Sequence, residues 1–78
     1  MLKKLIEAVN NKGYDYSIEG LNKLKIDFSI FTTIITVSNN CYEVCIMNEN
    51  NETIEHKRCI YPENVINYII DFWTQLSM

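Results

Sequence analysis

Seventy-eight residues suffice for one hydrophobic core and no more, so 1–78 reads as a single domain. Hydrophobic residues at 47% and charged residues at 22% exclude a disordered chain, and no apolar run reaches the ~18 residues of a membrane-spanning helix. A net charge of −3 argues against direct nucleic-acid binding, because phosphates are repelled rather than gathered.

From the N-terminus, Leu2, Leu5, Ile6 and Val9 line one face of a helix over 2–11, opposite Lys3, Lys4, Glu7 and Asn10. Asn11-Lys12-Gly13 ends it, with Gly13 suited to a left-handed cap. Lys3 and Lys4 could open an export leader, but Glu7, Asn10, Asn11 and Lys12 interrupt any apolar centre and no small-residue cleavage site follows. A cytoplasmic location is expected.

Tyr14, Tyr16 and Ile18 alternate with Asp15, Ser17 and Glu19 as in a half-buried strand, closed by Gly20. Leu24, Ile26, Phe28 and Ile30 alternate against Lys23, Lys25, Asp27 and Ser29, predicting a second strand or extended segment. This segment either joins the sheet or folds over its outer face. The β-branched run Thr32 to Val37 is the strongest strand signal, and Asn39-Asn40 then supplies a two-residue hairpin turn.

Pairing Ser38 with Cys41 sets Val37 against Tyr42, Ile35 against Val44 and Thr33 against Ile46 on the inner side. Ile34, Thr36, Glu43, Cys45 and Met47 then face outward. A further strand, Thr53 to Cys59, fits with Ile46 opposite Ile54 and Val44 opposite His56, which brings Glu43 to Lys57. A one-residue slip turns Glu55 and Lys57 inward and is disfavoured on that ground. Beyond Tyr61-Pro62, a helix carrying Val65, Ile66, Ile69, Ile70, Phe72, Trp73 and Leu76 must pack on the inner face beside the first. The fold class is α+β: an N-terminal helix, an antiparallel sheet of three to five strands, and a C-terminal helix on one sheet face.

Chemistry-bearing patterns are sparse. His56 is the only histidine, and Gly13 and Gly20 are isolated, so neither an acid/base constellation nor a phosphate loop is expected. Cys41, Cys45 and Cys59 lack CxxC spacing, which argues against a zinc site or a disulfide framework; reduced thiols are expected, with a Cys41 to Cys59 contact allowed by the register. No enzyme activity, metal or cofactor is expected.

Charge is distributed unevenly. Residues 1–25 hold five Lys against three acids, 26–56 hold five acids and no Lys or Arg, and 57–78 balance. Asp27, Glu43, Glu49, Glu52 and Glu55 gather largely around the second hairpin, whose tip is 48–52. Such a cluster either blunts sheet edges and aids solubility, or forms an acidic face for a basic partner. Ile34, Cys45 and Met47 add an apolar patch beside Glu43 unless a further segment covers it.

Leu5-Ile6, Asn11-Lys12-Gly13-Tyr14, Ile18-Glu19-Gly20, Ile34 to Asn40, Tyr42-Glu43-Val44 and Glu49 to Glu55 follow one another in an order that resembles small phage-encoded anti-CRISPR inhibitors of type II effector nucleases. The resemblance implies a non-catalytic phage protein that binds a host CRISPR-Cas effector in the host cytoplasm and blocks target DNA binding or cleavage. In that family, acidic side chains occupy the basic site that reads the PAM duplex. Carried over, the partner-binding residues are Glu43, Glu49, Glu52 and Glu55, with Asn50 and Asn51 as hydrogen-bonding neighbours; Met47 joins them from the outer patch. Residues 61–78 hold only Glu63 and Asp71 where the family pattern continues acidic, so blocking of another surface, or a dimer-based mechanism, fits as well as DNA mimicry. The alternative is a small interaction domain forming a homodimer through its sheet. Both a monomer and a dimer remain open.

Overall fold

The computed structural model describes residues 2–28 and 30–76, and for Leu76 the backbone alone. Ser29 and the side chain of Leu76, each assigned to an alternation above, lie outside the described residues. The elements run α1 (Leu2–Asn11), β1 (Ser17–Glu19), β2 (Lys23–Phe28), β3 (Phe31–Val37), β4 (Tyr42–Met47), β5 (Thr53–Cys59) and α2 (Pro62–Leu76). Five antiparallel strands form a meander in the order β1-β2-β3-β4-β5. This is the α+β arrangement expected, at the upper limit of its strand number.

Helix α1 forms because Leu5 and Val9 reach full burial from one face while Leu2 and Ile6 pack at its margin. It ends in a Schellman motif: Tyr14 N–H donates to Val9 O at 3.3 Å and Gly13 N–H to Asn10 O at 3.0 Å. Gly13 sits at φ 75°, where a β-carbon is strained. Pro62 opens α2 with Glu63 in its first turn, and the Tyr61 carbonyl accepts from Asn64 and Val65.

Strands β3 and β4 show the strictest alternation, burying Thr33, Ile35 and Val37 against Tyr42, Val44 and Ile46. Their register is the one read from the Asn39-Asn40 turn, residue for residue. Leu24 and Ile26 of β2, Cys59 of β5, and Val65, Ile66, Ile69 and Trp73 of α2 complete a single core on the inner side. Rings gather at one end of it: Trp73 stacks on Phe28 with centroids 4.3 Å apart and meets Tyr14 in a T-shaped pair at 4.9 Å, while Phe31 and Phe72 form another at 5.5 Å.

Segment 23–28 is a central member of the sheet, between β1 and β3, and so does not cover the outer face.

The β4–β5 register differs from expectation by one residue. Val44 pairs with Lys57, Ile46 with Glu55, and Glu43 with Arg58 rather than Lys57, with a bulge that leaves Ile54 unpaired between Met47–Thr53 and Ile46–Glu55. The slip turns Glu55 and Lys57 to the inner side, which carries no penalty because β5 is an edge and both side chains stay in solvent. The expected register holds only for an inner face buried throughout; the helix layer leaves its margin open.

Candidate partner-binding surface

The outer face of the sheet carries three cross-strand rows. The first runs Glu19, Lys23, Thr36, Glu43, Arg58; the second Ser17, Lys25, Ile34, Cys45, His56; the third Asp27, Thr32, Met47, Thr53. Both helices contribute their buried residues to the opposite side, so Ile34, Cys45 and Met47 remain half-exposed at the centre of this face. An apolar strip within a mixed-charge border results. Arg58 Nη2 donates to Glu43 Oε1 at 2.9 Å, and Thr32 Oγ1 donates to Asp27 Oδ1 at 3.1 Å. Both contacts are solvent-exposed, so they orient side chains more than they stabilise the fold.

At the end of β4, residues 48–52 form a tip built around one side chain. Asn48 Oδ1 accepts from the backbone N–H of Asn50 at 2.9 Å and of Glu52 at 3.0 Å. Backbone bonds from Asn48 N–H to Glu52 O and from Asn51 N–H to Asn48 O, each 3.0 Å, close the loop, and Asn51 takes the left-handed conformation at φ 63°. Asparagine tolerates that region better than most residues, which is the local reason for its use. Asn48 is the organiser that sequence reasoning passed over, although an asparagine at the start of a polar turn was its signal.

The residues named as partner-binding do not share one surface. Glu49, Asn50, Asn51 and Glu52 lie together on the tip, and Met47 sits beside them on the outer face. Glu43 is on that face too, but held by Arg58 two rows away. Glu55 is on the helix side, where its Oε1 accepts from Tyr68 Oη at 3.2 Å. The acidic ribbon is thereby divided: two exposed carboxylates at the tip, one paired on the outer face, one on the inner margin.

No family model, curated protein or solved structure matches this chain.

Nothing among the described residues forms a metal-holding group of three His, Cys, Asp or Glu side chains. All three cysteines are free. Cys59 is buried, and desolvation pushes its thiol pKa up, the opposite of what an attacking thiolate requires. Cys41 Sγ lies 3.1 Å from Ser38 Oγ in the hairpin turn, and Cys45 stands opposite His56 on the outer face. A surface depression lined by Ala8, Asn11, Lys12, Glu63, Ile66 and Asn67 separates the two helices; its charged side chains are a single lysine and a single glutamate. Burial, then the hydrogen bond to Glu55, raises the Tyr68 phenol to about 12, so it stays a proton donor across the neutral range. No helix of the described residues is long and apolar enough to cross a membrane.

Proposed function

We propose that the protein is a non-catalytic binding module that docks on a protein partner through the outer sheet face and the adjoining tip 48–52. The observation that carries this reading is the uncovered face itself: half-exposed Ile34, Cys45 and Met47 in the middle of a sheet whose two helices pack on the other side. An apolar centre bordered by charged groups is the anatomy of a protein-binding patch. The exposed carboxylates of Glu49 and Glu52 extend it toward a partner with a basic surface.

The resemblance over residues 2–55 supplies the partner class, a CRISPR-Cas effector in the host cytoplasm, whose nucleic-acid channel is positively charged. With the carboxylates divided between tip, outer face and inner margin, steric blocking by tip and face fits this scaffold better than mimicry of a phosphate row. Glu43 and Glu55 accordingly play no part in the proposed contact.

Co-purification with effector complexes of defined subtypes, alongside plasmid interference in cells carrying them, tests the reading. Binding by the wild type that is lost in Met47→Lys and weakened in the Glu49→Lys, Glu52→Lys double variant supports it. No protection against interference by any subtype removes the partner class, and binding that survives Met47→Lys removes the surface.

A further inference from the structure

Strand β5 is a sheet edge whose residues Thr53 to Arg58 are all exposed. Its free backbone groups follow from the ladder. Ser38 N–H donates to Cys41 O at 3.0 Å, so hydrogen-bonded and non-hydrogen-bonded pairs alternate from that point, and Tyr42, Val44 and Ile46 direct their backbone groups at β5. Their partners Cys59, Lys57 and Glu55 direct theirs back. His56 and Arg58 are left with N–H and C=O aimed at the open edge.

A second copy of β5 can pair antiparallel only in registers that oppose these outward residues. Matching His56 with Arg58 sets Lys57 against Lys57. Matching Arg58 with Arg58 stacks two guanidiniums and pairs Lys57 with Cys59. Matching His56 with His56 alone opposes unlike charges: Glu55 faces Lys57 of the second copy, and Lys57 faces its Glu55. Both pairs fall at non-hydrogen-bonded positions, where side chains come closest.

We propose that two copies join along β5 about a two-fold axis at His56, making one continuous ten-stranded sheet with Glu55 and Lys57 as reciprocal partners. Such an isologous contact is self-complementary, as two-fold symmetry demands. The same register places exposed apolar groups in the contact. Ile54, 40% exposed at the bulge, and Ile60, 57% exposed just past β5, lie at the two ends of this seam. Glu55 already accepts from Tyr68 through Oε1, which leaves its other carboxylate oxygen for Lys57 of the second copy. The strip of Ile34, Cys45 and Met47 is not part of the seam, so the dimer does not depend on the proposed partner and is read without one.

Sedimentation velocity over a concentration series tests the contact. The wild type is expected to dimerise reversibly, more weakly at high salt. Glu55→Lys and Lys57→Glu, each of which opposes like charges twice, are expected to raise the dissociation constant on the order of tenfold or more, and the double exchange E55K/K57E to restore it. His56→Pro removes an edge N–H that the β4 ladder does not use, and is expected to give a folded monomer. A wild type that stays monomeric, a folded double exchange that does not recover pairing, or a dimer that survives His56→Pro overturns the proposal.

Discussion

Thr33 is a polar residue in an apolar layer, and its replacement by valine is predicted to stabilise the fold. Its side chain is 1% exposed, lies between Ile26 of β2 and Ile46 of β4 on the inner face, and its Oγ1 has no hydrogen-bond partner among the described residues. A buried hydroxyl without a partner costs about 1–3 kcal/mol. Valine keeps the β-branch and shape, exchanges that hydroxyl for a methyl, and suits a central strand at least as well. Taking the lower end of the range because the exchange leaves all neighbouring contacts in place, Thr33→Val is expected to gain about 1 kcal/mol, or roughly 4–8 °C in Tm for a domain of this size. Thermal unfolding by circular dichroism and urea titration with an unchanged slope provide the measurement. Thr36→Val, on the half-exposed outer face of the same strand, serves as the control and is expected to stay within about 0.5 kcal/mol. Equal or lower stability of Thr33→Val would show that the hydroxyl is satisfied in the folded chain and that the argument from burial fails.

Other outcomes follow from the same geometry. Ile35→Ala, which hollows the centre of the sheet at a fully buried position, is expected to cost about 2–5 kcal/mol by chemical denaturation. Asn48→Ala removes the acceptor for two backbone N–H groups and is expected to cost about 1–2 kcal/mol, with faster amide exchange confined to 48–52. Gly13→Ala, forced to φ 75°, is expected to lose about 1–2 kcal/mol, whereas Arg58→Ala should lose less than about 1 kcal/mol because its ion pair is exposed. For Tyr68, raised to about 12 in the folded state against an ordinary value near 10, the folded chain retains the proton longer than the unfolded one. Its contribution is therefore complete below about pH 10 and lost as pH rises through about 12. Tyr68→Phe is expected to flatten that alkaline decline and to delete one late step from the phenolate absorbance titration; an unchanged titration would place the raised phenol elsewhere.

Much of the architecture was legible from local pattern. The α1 boundaries, the Gly13 cap, the β3–β4 register and the start of α2 all rest on interactions between residues close in sequence, and such interactions are encoded locally. The β4–β5 pairing was not legible, because the Ile54 bulge adds a residue that no periodicity announces. The acidic residues mislead in the same way: Glu43, Glu49, Glu52 and Glu55 are neighbours in the chain, but strand alternation and the bulge send them to two faces and a tip.

Composition and alternation thus determined that the chain makes one core from a sheet with helices on a single side. Which face stays open, which charge meets which, and which edge residues offer free backbone groups were decided by tertiary structure. Those properties depend on how far α1 and α2 extend over the strands, and on one extra residue in β5, quantities set by packing among distant segments rather than by any residue's own preference.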